Sequence, residues 1–177
     1  MISIEDSEKP DVNWNKRLID AKIGTTNQSI ERGINFERQG QTPRYLKFIN
    51  EQGTICGQLL YSISSRIEKK QFIGKFFKKI PGLNFPLYFW IYGPIVFDNN
   101  YYSQIIQALR TFLISKKCKV YGTTSPLLYN DPSVLDKNFN ITKWSTYLLD
   151  LHKSKNELYE NISKHNGRKN IERSIKR

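Results

Sequence analysis

The chain has 177 residues, 38% of them hydrophobic and 13% aromatic, and 28 Lys and Arg against 16 Asp and Glu give a formal net charge of +12. That length suits one domain with its own core, and the apolar content excludes a disordered chain. The charge points to an anionic partner: nucleic acid, a phosphorylated substrate or an acidic membrane surface.

The first ten residues, acidic and polar, read as a flexible N-terminus and not as a signal peptide. Asp11 is placed to N-cap a short helix through "VNWNKRLIDAK", with Trp14 and Leu18 four apart on one face. A second helix is predicted in "NQSIERGINFERQG", with Ile30, Ile34 and Phe36 inward; Gly33 weakens it and Gly40 stops it. The period then changes to two. "RYLKFINEQGTICGQLLYSISSRI" reads as a hairpin with strands at Tyr45–Ile49 and Thr54–Ile67 and a turn around Gly53.

A basic insertion follows, and then the apolar run "PLYFWIYGPIVF", where Pro94 can give no ladder bond, so the strand is expected to break. "YYSQIIQALRTFLISKKC" is an amphipathic helix whose stripe is Tyr102, Ile105, Ile106, Leu109, Phe112 and Leu113. "KVYGTTSPLL" is a strand, Asp131-Pro132 opens a short helix, and "KWSTYLLDL" is another strand. Ser154 and Glu157 form a capping-box pair that starts a helix with Leu158 and Ile162 inward. Asn166-Gly167 interrupts the chain before a basic end. Hairpins mixed with crossover units imply an α/β sheet covered by helices.

Chemistry-bearing motifs are few. Cys56 and Cys118 exclude a disulfide framework and read as reduced, buried thiols of a cytoplasmic protein. His152 and His165 have no ligand partners at metal spacing, so no metal site is expected. No apolar run is long enough to span a membrane. The sequons at Asn27, Asn140 and Asn161 then read as chance. No P-loop, Gly-x-Ser-x-Gly or HExxH motif occurs. Asp98 and Asp150 end strands, where a general base can sit, but read as cap or turn residues, and no catalytic residue is named.

Two basic clusters stand out. On a helical wheel Lys169, Arg173 and Lys176 fall within about 60° of one another, with Ile171 and Ile175 nearly opposite. Arg168 and Lys169 sit near that helix's start, where free backbone N–H groups favour an anion, so Arg168, Lys169, Arg173 and Lys176 read either as a phosphate-binding set or as a solvated basic face. The other cluster, "RIEKKQFIGKFFKKIPGLNF", interleaves Arg66, Lys69, Lys70, Lys75, Lys78 and Lys79 with aromatics. It suits an anionic membrane surface or stacked bases, with Phe76, Phe77, Lys78 and Lys79 as the membrane-facing set. Phe residues folded back onto the sheet are the competing reading.

The closing stretch "KWSTYLLDLHKSKNELYENISKHNGRKNIERSIKR" resembles the signature of the FemABX peptidyl (aminoacyl) transferases. The matching positions are Trp144, Thr146, Tyr147, Asp150, Leu151, Ser154, Glu157, Leu158, Arg168, Ile171 and Lys176, with Ser174 where the family usually has Ala. "WIYGPIVFD" is similar to the family's Gly-Pro strand, and "TPRYLKFINEQGTICGQLL" to its first hairpin. The resemblance implies a single GNAT-like α/β domain with a mixed, mostly antiparallel twisted sheet over residues 11–165. Residues 166–177 would form a basic helix leading into a second GNAT-like domain that the chain lacks.

It further implies transfer of an amino acid from aminoacyl-tRNA to the amine of a phosphorylated, nucleotide- or lipid-linked cell-wall (peptidoglycan) precursor. That work would be done in the cytoplasm at the inner face of the membrane, with the isolated chain inactive. No cofactor is expected, because the Gln/Arg-x-x-Gly-x-Gly/Ala loop of coenzyme-A-dependent GNAT enzymes is missing. Arg32, Arg38 and Arg44 are the further anion-binding candidates early in the chain. The alternatives are a GNAT-fold acyltransferase for another amine, on a polysaccharide or lipid, and a non-catalytic RNA- or membrane-binding domain.

Overall fold

The structure, a computed structural model, describes residues 1–22, 25–64, 86–124, 132–142 and 152–161. The chain divides into two compact units, Met1–Ile141 and Thr142–Arg177. In the first unit, strands β1 (Ser3–Ser7), β2 (Thr42–Ile49), β3 (Ile55–Ser64), β4 (Leu87–Trp90), β5 (Ile95–Val96) and β6 (Lys119–Gly122) make one sheet, ordered β1-β2-β3-β4-β6 with β5 also on β3. All pairs are antiparallel except β4 with β6, which run parallel. Helices α1 (Trp14–Asp20) and α2 (Ile30–Arg38) join β1 to β2, α3 (Tyr102–Ser115) crosses from β5 to β6, and α4 is Pro132–Asn138. The mixed, mostly antiparallel α/β class expected from the sequence is the class observed.

Strand alternation divides the core. Leu46, Phe48, Leu59, Tyr61, Tyr88 and Trp90 pack with Ile105, Ile106, Leu109 and Leu113 of α3. The alternate residues Tyr45, Leu60 and Ile95 pack with Trp14, Leu18 and Phe36 of α1 and α2. The α3 stripe is as expected, with Phe112 only partly buried. The hairpin turn closes with the Gly53 N–H donating to Asn50 O, at a Gly53 φ of 78°. Gly40, at φ 72°, ends α2.

Four local differences from the sequence reading have physical causes. Residues 1–10 are not simply a flexible lead, because β1 adds to the outer edge of β2. The N-cap of α1 is Asn13; Asp11 instead accepts from the Asn13 N–H with one oxygen while pairing with Arg17. Ile34 is 43% exposed, because α2 turns Gly33 and Phe36 inward. Gly33 is there for closeness: a Cβ would stand 2.0 Å from the Tyr45 hydroxyl.

In the second unit, α5 (Lys155–Asn161) begins on the expected capping box. The Glu157 N–H donates to Ser154 Oγ at 3.3 Å, and the Ser154 N–H donates to a Glu157 carboxylate oxygen at 2.9 Å. The Ser154 hydroxyl, donating to the same carboxylate oxygen at 2.7 Å, and the Ser154 N–H hold the Glu157 carboxyl below its usual range. Leu158 is half-buried. The predicted strand at "KWSTYLLDL" and the inward Ile162 lie outside the described residues.

Candidate functional site

The parallel pair β4–β6 is the candidate site. In open α/β sheets, ligands sit outside the carboxyl ends of parallel strands joined by a helical crossover. Here those ends are Trp90 to Pro94 and Gly122 to Thr124. β4 stops at Trp90, Tyr92 takes a left-handed φ of 56°, Gly93–Pro94 is cis, and the chain rejoins the sheet as β5. β6 follows β4 past its end: the Gly93 N–H donates to Thr123 O at 2.9 Å, the Thr123 N–H to Trp90 O at 3.2 Å, and the Tyr92 N–H to Thr123 Oγ1 at 3.0 Å.

Between β4 and β5, β3 has no strand beside Leu60. A buried, unpaired backbone group costs about 1–3 kcal/mol, and Gln28 removes that cost. Its fully buried carboxamide accepts from the Leu60 N–H at 2.7 Å and donates to Leu60 O at 3.2 Å and Ile91 O at 2.7 Å. Gln28 is fixed in turn by Trp14, whose indole N–H donates to Gln28 O at 2.7 Å. Gln58 donates to Trp14 O and accepts from Arg17 Nε, and Arg17 grips both Asp11 oxygens at 3.0 and 2.6 Å. That grip holds the Asp11 carboxyl below the usual range, against the opposing effect of burial.

The two faces of the β4–β6 pair differ. On the α3 face, Trp90 lies over Gly122, where any Cβ would come within 2.0 Å of its ring. On the other face Phe89 stacks on Tyr121, with centroids 5.8 Å apart and planes 13° apart. Phe36 meets Phe89 edge-on at 6.3 Å, and the Arg32 guanidinium lies 4.6 Å over Phe36. Arg32 Nε is buried and has no hydrogen-bond partner.

The early arginines do not converge. Arg32 and Arg38, six residues apart on α2, project in different directions. Arg44 pairs in register with Tyr61, on the α3 face of the sheet, and is bound by Asp6 at 2.9 Å and Glu8 at 3.0 Å; the bond to Asp6 raises its pKa against the opposing effect of burial. It ties β1 to β2. Asp98 is a cap: it accepts from the Asn100 N–H at 2.9 Å. Cys56 and Cys118 are free thiols whose pKa is raised by burial. Among the described residues no group of His, Cys, Asp and Glu is arranged to hold a metal, and no helix is long and apolar enough to cross a membrane.

Arg168, Lys169, Arg173 and Lys176, and Phe76, Phe77, Lys78 and Lys79, lie outside the described residues, as do Trp144, Thr146, Tyr147, Asp150 and Leu151. The described residues hold 15 Lys and Arg against 12 Asp and Glu, so most of the net charge belongs to the rest of the sequence. A cavity of about 390 Å³ beside α1 is lined by Asn15, Lys22, Thr25 and Ser29. It is not an anion hole at the start of α2, because Asn15 accepts from the Ile30 N–H and Ser29 from the Arg32 N–H.

Sequence reasoning missed Gln28 and the Phe36–Phe89–Tyr121 row. Both depend on which strands become neighbours, and no local pattern encodes that. No family model matches the chain, and no curated protein matches it. A solved structure, the crystal structure of a Trypanosoma brucei acetyltransferase, is similar at 17% identity and a TM-score of 0.42, over 84% of this chain and 100% of that one.

Proposed function

We propose that the chain is a GNAT-like acyltransferase domain, and more narrowly a FemABX-type domain that takes part in moving an amino acid from aminoacyl-tRNA to the amine of a phosphorylated cell-wall precursor. The observation that carries the reading is the β4–α3–β6 crossover, which sets two parallel carboxyl ends side by side where β4 breaks at Gly93–Pro94. The element order, a strand, two helices, a hairpin and then this crossover, fits the GNAT-like expectation. The capping box at Ser154 and Glu157 fits the motif resemblance at two of its positions.

In the reaction an amine attacks an activated ester carbonyl and a tetrahedral intermediate forms. The amine nitrogen then loses a proton, and the leaving oxygen departs with one. Positioning of the two substrates and stabilisation of the developing oxyanion supply most of the rate. The contribution assigned to this chain is the acceptor: its phosphates would meet Arg168, Lys169, Arg173 and Lys176, and the Phe76–Lys79 cluster would rest on an anionic membrane.

Equilibrium binding tests this. The chain is expected to bind a nucleotide-linked precursor peptide at low salt, and Arg173→Ala is expected to weaken that binding about tenfold, as the loss of a charge-assisted phosphate contact does. Binding and turnover of acetyl-coenzyme A in place of the precursor would keep the acyltransferase reading and refute the aminoacyl one. Binding of neither would refute both.

A further inference from the structure

β1 closes one side of the sheet, and only β2 borders it. Among the described residues no strand meets its other edge, so alternate backbone N–H and C=O groups of Ser3–Ser7 turn outward unpaired by any ladder. Between β1 and α3 lies a groove of about 500 Å³, lined by the apolar side chains of Ile2, Ile4, Ala108 and Phe112 and the carboxamides of Gln104 and Gln107. No side chain that lines it is charged. α3 has one charged residue, Arg110, in fourteen, in a chain where 25% of residues are charged. The carboxylates beside the groove are already paired within the chain, Glu5 with Lys47 and Asp6 with Arg44.

We propose that this edge and groove are the interface of a two-fold dimer, in which β1 pairs antiparallel with β1 of a second copy. The strand itself names the occupant. About a two-fold axis residue i meets j and j meets i, so the pairing segment must read alike in both directions. Ile2-Ser3-Ile4 does. With the two Ser3 residues opposite each other, each Ile2 faces the Ile4 of the other copy, on the side of the sheet where both already pack against the α3 core. Glu5 and Asp6 fall outside that overlap. The axis of such a pair stands normal to the sheet and brings both α3 helices to the same face, so each copy covers the other's groove. A carboxamide both donates and accepts, and therefore bonds to its own kind. Gln104 and Gln107 also let two positively charged chains meet where neither presents a charge. Five residues of strand are too small a contact for a stable dimer, and the α3 face supplies the rest. The inference does not need the acyltransferase reading.

Sedimentation equilibrium of the full chain tests this, with circular dichroism of each variant as a check on folding. The wild type is expected to be a dimer at about 100 μM that releases monomer on dilution. Gln104→Lys/Gln107→Lys, at two exposed positions of α3, should weaken the dimer at least tenfold and keep the wild-type spectrum. Gln104→Glu/Gln107→Glu should do the same. An equimolar mixture of the two variants should regain a heterodimer, because opposite charges then meet across the axis. Ser3→Cys should cross-link on mild oxidation, and Glu37→Cys, exposed on α2, should cross-link far less. A wild type that stays monomeric leaves the edge to a strand of another protein and overturns the proposal. Wild-type association by both charged variants, or equal cross-linking of Ser3→Cys and Glu37→Cys, overturns it as well.

Discussion

Replacing Gly33 by alanine tests how tightly α2 is seated on the sheet. On an exposed helix the change would stabilise by about 1 kcal/mol, because Ala is the better helix former. Here the new Cβ would lie 2.0 Å from the Tyr45 hydroxyl oxygen and 3.0 Å from its Cζ. A long flexible side chain would move aside. Tyr45 cannot do so easily: it is buried, and its ring is held edge-on to Trp14 at 5.0 Å. A 2.0 Å approach puts this overpacking in the upper part of its usual range, about 2–3 kcal/mol, so once propensity is credited a net loss of about 1–2 kcal/mol is expected. In a domain of this size that lowers the melting temperature by roughly 2–8 °C, and the urea midpoint should fall at an unchanged m-value. Tyr45→Phe in the same chain removes the nearest atom and should recover more than half of the loss. Wild-type stability in Gly33→Ala, or a double variant no better than the single one, would refute the close-contact argument.

Gln28→Ala leaves the Leu60 N–H and the Leu60 and Ile91 carbonyls without their partner, and should cost about 2–4 kcal/mol, read by urea denaturation together with faster amide exchange at Leu60. Asp11 has its carboxyl held low by Arg17, so the stability it contributes is complete above the ordinary value of 3.8 and is lost as pH falls through the folded value; acid melts of Asp11→Asn should lack that part of the slope. Burial pushes the Tyr45 phenol up to about 12, above its ordinary 10.0. Its contribution is therefore present below pH 10 and declines toward pH 12. Burial raises Tyr61 and Tyr88 too, so ultraviolet titration between pH 10 and 12 should show fewer tyrosinates in the folded than in the unfolded chain, and Tyr45→Phe should narrow that difference. Ser154→Ala breaks the capping box, and faster exchange of the Glu157 amide in α5 should report it.

What the sequence made legible was local. The stripe of α3, the hairpin turn at Gly53, the stop at Gly40, the break at Gly93–Pro94 and the box at Ser154 each follow from residues within a few positions of one another. Ile34 misled because it repeats Ile30 at a helical spacing, while the turn of α2 is set by what meets Tyr45, a residue on another element. β1 was hidden because "SIEDS" has one apolar residue in five and becomes a strand only when β2 offers an edge. The site was legible only as a strand break. Gln28 beside Leu60, and Tyr121 beside Phe89, become neighbours across gaps of about thirty residues that no period reveals.

β1 also bears on the order in which the molecule assembles. Its pairing of Ser7 with Tyr45 closes residues 8–44 into a far longer loop than the five residues, 50–54, that join β2 to β3. Loop-length scaling makes that closure about 1.8 kcal/mol harder, so the hairpin is expected to form before β1 joins it. Beside its ladder and the packing of Ile4, ion pairs fasten it: Asp6 to Arg44 and Glu5 to Lys47 at 2.6 Å. The strand can therefore lift while the hairpin stays paired. When it does, a row of free backbone groups appears on β2, and Arg44 and Lys47 are released from their carboxylates together. The departure of β1 thus turns a sealed sheet edge into a basic one.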